Sequence, residues 1–254
     1  MSTESQVTGW PEGVGRIVLD EIDSTNAEAA RRADTTAKPT WILAHRQTSG
    51  RGRRGRPWAD PVGNFSASHL MFPDEALKDV ALNSFIAAVS LYQALKELVP
   101  SDGYALKWPN DVLLNGTKIA GILLESSGTR DKVNWLVIGI GVNLTHAPAI
   151  IDVEPRATPP SSVVAQLGKA PSAEELLSLL AIKFAANRQL YLSEGFNAIR
   201  LLWLRHAANL GAAITARTMR DEIAGTFEDI DNEGNLILAT SKGSVAITAA
   251  DVFF

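Results

Sequence analysis

The chain of 254 residues contains no cysteine. That excludes disulfides, thiol nucleophiles and thiolate-bound metals, and it suits a reducing compartment. Histidine is scarce too. His45, His69, His146 and His206 show no metal-ligand spacing and no Ser/His/Asp arrangement, so they read as structural. Long hydrophobic runs are missing, and the apolar stretch from Trp135 to Leu144 is too short to span a bilayer. The start, Met1-Ser2-Thr3-Glu4, lacks a basic segment leading into an apolar core, so no signal peptide is read and a cytoplasmic location is expected. Positive charge is also short: 24 Lys and Arg face 28 Asp and Glu, giving a net charge of −4. A dedicated nucleic-acid binder usually carries the opposite balance.

What is present is a 46% hydrophobic chain, long enough to bury a core as one large domain or two. Its scarce positive charge is concentrated in Gly50-Arg51-Gly52-Arg53-Arg54-Gly55-Arg56-Pro57-Trp58. Three glycines make a poor helix or strand interior, so the stretch reads as a mobile loop. Arginine forks grip phosphate or carboxylate, and such a loop could close on an anionic ligand and become ordered with it. A solvated basic surface and an Arg/Gly segment for nucleic acid are the competing readings. The run lacks the Gly-Lys-Ser/Thr ending of a P-loop.

In chain order, residues 1–15 read as a loose lead-in and Arg16–Leu19 as a short strand. Thr25 with Glu28 predicts a capping box opening a helix through Ala33. There Ser24 and Thr25 either cap the helix or offer their hydroxyls to a ligand. Thr40–Ala44 and Asn64–Phe72 read as strands. Leu82, Phe85, Ile86, Val89, Tyr92, Leu95 and Leu98 predict an amphipathic helix over 80–99. Tyr104–Trp108 is a strand stopped by Pro109. Val112–Leu114 and Thr117–Glu125 form a hairpin around Asn115-Gly116, the signature of a type I′ turn. Trp135–Val142 is a strand buried on both faces, and 145–171 a long loop. Ser172 with Glu175 caps a helix to about Leu192, and a shorter helix runs from Phe196 to about Ala208. Beyond Leu210 come short β segments, at 213–218, 223–229, 236–240 and 245–248, separated by turn signals at 231–235 and 242–243. They predict a small β-barrel after an α+β body.

Three further blocks carry chemistry. Lys107-Trp108-Pro109-Asn110-Asp111 places a lysine, an amide and a carboxylate at a strand junction. That suits a nucleotide phosphate and Mg²⁺, or else an ordinary proline turn. Lys118 enters an apolar strand, so its ammonium either needs an anionic partner or points to solvent beside the turn. In Gly139-Ile140-Gly141-Val142-Asn143 the alternate glycines bare one strand face. Another group can lie there, or a helix can pack closely. No third glycine or following helix completes a Rossmann fingerprint.

Asp23-Ser24-Thr25-Asn26, Gln47 with the arginine loop through Trp58, Lys107–Asp111, Lys118–Glu125 and Gly139–Asn143 together resemble the biotin protein ligases. The five blocks stand in the family's order at compatible spacing, across residues 16–145, and the β-rich tail matches more loosely. The resemblance implies an α+β fold: a mixed-sheet, class II synthetase-like catalytic domain (1–208) and a small SH3-like β-barrel (209–254). It implies a ligase that converts biotin and MgATP to biotinoyl-5′-AMP, then passes biotin to a lysine of a biotin carboxyl carrier domain of an acyl-CoA carboxylase. Ser24, Thr25, Asn26, Gln47, Gly50, Arg51, Arg53, Lys118, Gly121, Gly139 and Gly141 would then hold biotin. Arg53, Arg54, Arg56, Trp58, Lys107, Asn110 and Asn143 would hold ATP, and Asn110 and Asp111 would meet Mg²⁺. Lys118, Arg53 and Asp111 would be catalytic: the two cations cancel the repulsion between carboxylate and nucleotide, and Asp111 takes the proton of the attacking amine. About 20 residues precede the first block, too few for the winged-helix repressor domain of some members, so no specific DNA binding is expected. No membrane association is expected either, and the chain would act as monomer or homodimer. A lipoate- or octanoate-type ligase and a nucleic-acid-binding module are the alternatives.

Overall fold

The computed structural model describes residues 9–59, 61–129, 132–154, 156–218 and 220–254. The reading of residues 1–8 as a lead-in lies outside them. A seven-stranded mixed sheet is built from β1 (Gly15–Leu19), β2 (Thr40–Ala44), β3 (Phe65–Met71), β4 (Tyr104–Lys107), β5 (Asp111–Leu114), β6 (Thr117–Gly128) and β7 (Val133–Val142). Its spatial order is β1-β2-β3-β7-β6-β5-β4. The β1–β2 pair is parallel; the others are antiparallel. The expected hairpin is in place, with Asn115 and Gly116 at φ 49° and 74°, the left-handed values that an Asn-Gly turn accepts readily.

Among the described residues six helices accompany the sheets: α1 (Thr25–Arg32), α2 (Leu77–Val80), α3 (Asn83–Leu98), α4 (Val163–Leu167), α5 (Ala173–Glu194) and α6 (Phe196–Leu204). One sheet face is covered by α3 and α5, and the main core lies there. The opposite face is covered only in part, where Ala29 and Ala33 pack on Ile42, Leu70 and Val137. Both faces of β7 are therefore apolar around Leu136, Val137 and Ile138, as its sequence predicts.

Several boundaries differ from expectation for physical reasons. The helix over 80–99 is two helices, α2 and α3. The second is buried on nearly all sides rather than amphipathic, because it lies between the sheet, α5 and α6. Small residues allow this: Ser90 bonds the Ile86 carbonyl at 2.6 Å and accepts from Asn187 of α5 at 2.9 Å. The loop 145–171 contains α4, capped by Ser162 and closed by Gly168 at φ 73°. The α5 capping box is present, with Ser172 N–H donating to Glu175 at 2.8 Å and Glu175 N–H to Ser172 Oγ at 3.2 Å. α6 ends at Leu204, and the next residues run beside β4 instead. Leu106 N–H meets the His206 carbonyl and Ala208 N–H the Leu106 carbonyl, each at 2.7 Å. This covers an otherwise open sheet edge.

The C-terminal strands are β8 (Ala213–Arg217), β9 (Glu222–Ile230), β10 (Leu236–Thr240), β11 (Gly243–Ile247) and β12 (Asp251–Phe253). They form an antiparallel sheet in the order β11-β10-β9-β8-β12. The last strand, not anticipated from sequence, returns beside the first, which completes the SH3-like arrangement. This sheet is anchored to the body. Trp108 Nε1–H donates to the Gly234 carbonyl at 3.0 Å, and Trp203 stands edge-on between Phe85 (5.5 Å) and Phe227 (6.4 Å). Among the described residues no helix is long and apolar enough to cross a membrane.

Trp203→Ala removes a side chain that is 1% exposed and joins the two sheets' cores. The expected cost is about 3–5 kcal/mol by denaturant unfolding, and a loss below about 1 kcal/mol would show that the contact does not couple them.

Candidate active site

The uncovered part of the second sheet face forms a cleft of about 830 Å³. Strand register explains its floor. Ala44, Ser66, Gly141, Gly121, Asp111 and Lys107 face one another in a row across β2, β3, β7, β6, β5 and β4. A second row holds Ile42, Ser68, Gly139 and Leu123. The alternate glycines thus bare one face, and two side chains lie on it. A Cβ on Gly139 would stand 2.2 Å from Asn26 Oδ1, and one on Gly141 2.4 Å from the Trp58 ring. Neither position has room for an alanine. Of the two readings of that face, the one in which another group lies against it is seen. The cleared face of Gly139 and Gly141 is taken by Asn26 and Trp58, and a Cβ on Gly121 would lie 3.4 Å from the Trp58 ring and 3.6 Å from Lys118.

The N-terminus of α1 forms one wall. Ser24, not Thr25, is the N-cap, accepting from Ala27 N–H at 3.4 Å. No Thr25–Glu28 capping box forms, because Glu28 pairs with Arg31 and Arg32 at 2.8 and 2.5 Å. Asp23 props the turn. It takes a two-pronged bond from Arg31 at 2.7 and 2.9 Å and accepts from Ser24 N–H at 2.7 Å. The Arg31 bonds, with the Ser24 amide, pull its pKa down to about 2. Thr25 donates to Gln47 Oε1 from N–H at 2.8 Å and approaches it through Oγ1 at 3.1 Å. Gln47 Nε2 reaches Ser66 at 3.1 Å.

The arginine run is a folded hairpin rather than an open loop. Trp58 N–H meets the Gly50 carbonyl at 2.9 Å and Gly52 N–H the Arg56 carbonyl at 2.7 Å, around a 3-10 turn at Arg53–Gly55. A Cβ on Gly50 would strike the Trp58 carbonyl at 2.7 Å. Each arginine has a partner from elsewhere in the chain. Arg51 pairs with Glu125 at 3.0 Å, Arg54 with Asp251 at 3.0 Å, and Arg56 with Glu154 at 2.7 Å and Asp251 at 3.3 Å. Arg53 donates to Asn110 Oδ1 at 3.3 Å. Arg217 joins the Asp251–Glu154 group at 3.3 and 2.9 Å. Burial would raise the pKa of Asp251, but the bond from Arg217 and the charges of Arg54 and Arg56 outweigh it and hold the carboxyl below its ordinary value. These inward pairings disfavour an open basic surface for nucleic acid.

Lys118 does have an anionic partner: its Nζ lies 2.6 Å from Asp111 Oδ1. Lys107 is buried, donates to Thr158 at 2.6 Å and stands over the Phe254 ring. Burial lowers the pKa of both Lys107 and Arg53, with Asp111 and Asp251 opposing it. The lining carries five cations (Arg51, Arg53, Arg56, Lys107, Lys118) and three carboxylates (Asp111, Glu154, Asp251). An acidic protein thus holds a locally positive, partly dehydrated cleft, the setting in which an anion is stabilised most. Besides Asp111 Oδ1, which faces the Lys118 ammonium, two polar atoms there are buried without a hydrogen-bond partner among the described residues, Trp58 Nε1 and Asn143 Oδ1.

Every residue predicted for the site except Arg54 lines this one cleft; Arg54 sits in the same hairpin, turned to Asp251. Glu125, Glu154, Arg217, Asp251 and Ser68 were missed. Glu125 closes a recognised block but carries no local signal of its own, and the others gain meaning only from partners distant in sequence. His69 is fully buried, stacked on Trp41 at 4.5 Å, and burial holds its pKa down at about 3. His206 stacks on Tyr92.

Fold and cleft define a two-part α+β protein with a locally positive cleft on one sheet face. The model of the biotin/lipoate A/B protein ligase family matches residues 18–143, and that of the biotin protein ligase C terminal domain matches 210–254. A biotin–[acetyl-CoA-carboxylase] ligase of Paracoccus denitrificans is 49% identical over 93% of this chain and 99% of its own. The bifunctional ligase/repressor of Bacillus subtilis (strain 168) is 34% identical over 93% of this chain and 73% of its own. The solved structure of a biotin protein ligase from Aquifex aeolicus in complex with biotin and ATP matches with a TM-score of 0.80. That match has 26% identity and covers 94% of this chain and 97% of that one. The chain belongs to the biotin protein ligase family.

Gly141→Ala is expected to push Trp58 off the floor and open the hairpin. Proteolysis within 50–58 of the folded variant should rise about tenfold, the equivalent of about 1.4 kcal/mol of lost seating. Wild-type cleavage in that variant would show that Trp58 does not hold the hairpin closed.

Proposed function

We propose that this chain is an ATP-dependent biotin–protein ligase that makes biotinoyl-5′-AMP and transfers biotin to a lysine of a biotin carboxyl carrier domain of an acyl-CoA carboxylase. The observation that carries the reading is the cleft itself, where a glycine floor adjoins buried Lys107 and Arg53 and the Lys118–Asp111 pair. We assign the catalytic body to residues 1–208 and the small β-barrel to 209–254, with Asp251 of β12 reaching the arginine hairpin from the second unit.

In the first step a biotin carboxylate oxygen bonds to the α-phosphorus of ATP as the bond to the β-phosphate oxygen breaks and pyrophosphate leaves. The nucleophile is already ionised, so no general base is needed. Repulsion between the two anions is the barrier, and prepositioned cations lower it. Lys118 lies over Gly121 and is the cation placed to exchange Asp111 for the reacting carboxylate. Arg53 and Lys107 would hold phosphate oxygens, and Arg54 and Arg56 would leave Asp251 and Glu154 to do the same. Asn143 Oδ1, an acceptor without a partner, suits a donor on the adenylate. Ser24, Thr25, Asn26 and Gln47 line the end that would take the ureido ring.

Asp111 and Asn110 supply one carboxylate and one amide oxygen beside the phosphate cations. Among the described residues no cluster of three or more His, Cys, Asp or Glu could form a metal cage. This set fits a Mg²⁺ that shares its shell with nucleotide phosphates. When bound, that ion supplies charge neutralisation on the phosphates. In the second step the neutral acceptor amine bonds to the biotinoyl carbonyl carbon, the carbon–oxygen bond to phosphate breaks, and AMP leaves. Asp111 would take the amine's surplus proton. The hairpin over the mixed anhydride keeps water from it.

Biotin-dependent exchange of labelled pyrophosphate into ATP tests the reading without any acceptor protein. Exchange should require biotin and ignore lipoate, and its absence from folded protein would remove the assignment. Lys118→Ala should lower exchange by about a hundredfold or more with circular dichroism unchanged, and near-normal exchange would remove that role from Lys118.

A further inference from the structure

Glu125 stands on β6 outside the cleft lining, yet it touches two residues that line it. Its Oε2 accepts from Asn26 Nδ2 at 2.7 Å and from Arg51 Nη2 at 3.1 Å, and its Oε1 accepts from Arg51 Nη2 at 3.0 Å and Nε at 3.2 Å. Asn26 belongs to α1, and Arg51 to the arginine hairpin. One carboxylate therefore ties the arginine hairpin to the N-terminal turn of α1. Arg51 and Glu125 are 38% and 34% exposed. A lone pair of that exposure contributes little, but two-pronged geometry and the shared Asn26 amide set this one apart.

The carboxylate also fixes the direction of a hydrogen-bond chain. It can only accept, so Asn26 must turn its nitrogen to Glu125 and its oxygen toward Ser68. Ser68 Oγ donates to that oxygen at 2.5 Å, which uses its single proton. The Thr25 proton then goes to Ser68 Oγ at 2.8 Å or to Gln47 Oε1 at 3.1 Å, both acceptors within the chain. Thr25 consequently turns lone pairs rather than a proton to the cleft. The whole arrangement requires Gly139, because a Cβ there would collide with the Asn26 amide.

We infer that Glu125 is a positioning residue: it latches the arginine hairpin through Arg51 and orients Asn26, Ser68 and Thr25 so that the pocket receives a ligand group that donates N–H. The identity of that ligand rests on the ligase reading; the latch does not, because its contacts all lie within the chain.

Glu125→Gln keeps the shape, removes the charge and lets the Asn26 amide adopt either orientation. Trypsin cleavage after Arg51, Arg53 and Arg54 in ligand-free protein should rise about tenfold, with cleavage elsewhere unchanged. In pyrophosphate exchange the KM for biotin should rise about tenfold, while kcat and the KM for ATP stay within about twofold. Glu125→Asp, which keeps the charge but shortens the reach, should fall between wild type and Glu125→Gln in both readouts. It carries the test alone if Glu125→Gln does not fold. Wild-type cleavage and wild-type biotin KM in the variants would overturn the inference. So would a lower kcat with both KM values unchanged, since that pattern marks a merely structural role. If the wild-type chain itself shows no biotin-dependent exchange, the ligase reading fails, and the cleavage comparison still decides the latch.

Discussion

The cleft depends on the contact between bare backbone and two side chains, Asn26 over Gly139 and Trp58 over Gly141. A strand face normally carries a Cβ every second residue, and here two successive positions of β7 carry none. The space they leave admits the side chains that bring α1 and the arginine hairpin down onto the sheet. Once Trp58 is seated, the hairpin has a fixed depth, and Arg51, Arg53, Arg54 and Arg56 each reach a partner. The charge chemistry of the site therefore rests on a steric condition.

Electrostatics complete what packing begins. The hairpin's arginines would repel one another if left free, and carboxylates from three other segments hold Arg51, Arg54 and Arg56: Glu125 of β6, Glu154 of the loop before α4, and Asp251 of β12. Lys118 is held in the same way by Asp111. In the proposed reaction Lys118 would exchange Asp111 for the reacting carboxylate, and Arg54 and Arg56 would exchange Asp251 and Glu154 for phosphates. The small C-terminal sheet belongs to this arrangement through Asp251 and Arg217. Its docking through Trp108, Gly234 and Trp203 gives that aspartate a fixed place.

Local physics made much of the fold legible. The Asn115-Gly116 hairpin, the Ser172–Glu175 capping box, the apolar β7 strand and most strand positions follow from turn chemistry, capping and periodicity within a few residues. Competing local signals misled at α1. Ser24 and Thr25 are equally good caps by type, and Asp23 and Arg31 decide between them. At α3 the spacing of apolar residues was right, but burial depends on what packs against the other side, which spacing does not encode. The strand β12 has three residues and exists because β8 offers it an edge.

The sequence by itself determined which residues would meet, because the five blocks together resemble one recognisable site, and they do line a single cleft. It also determined that a bared strand face would exist, since alternation along a strand is a property of the backbone. Only the tertiary structure decided what fills that face and what holds each cation. Strand register set Glu125, Gly139 and Gly121 on one surface, and chain crossing brought Asp251 to arginines about two hundred residues away. Such pairings depend on distances between elements, and no pattern along the chain carries a distance.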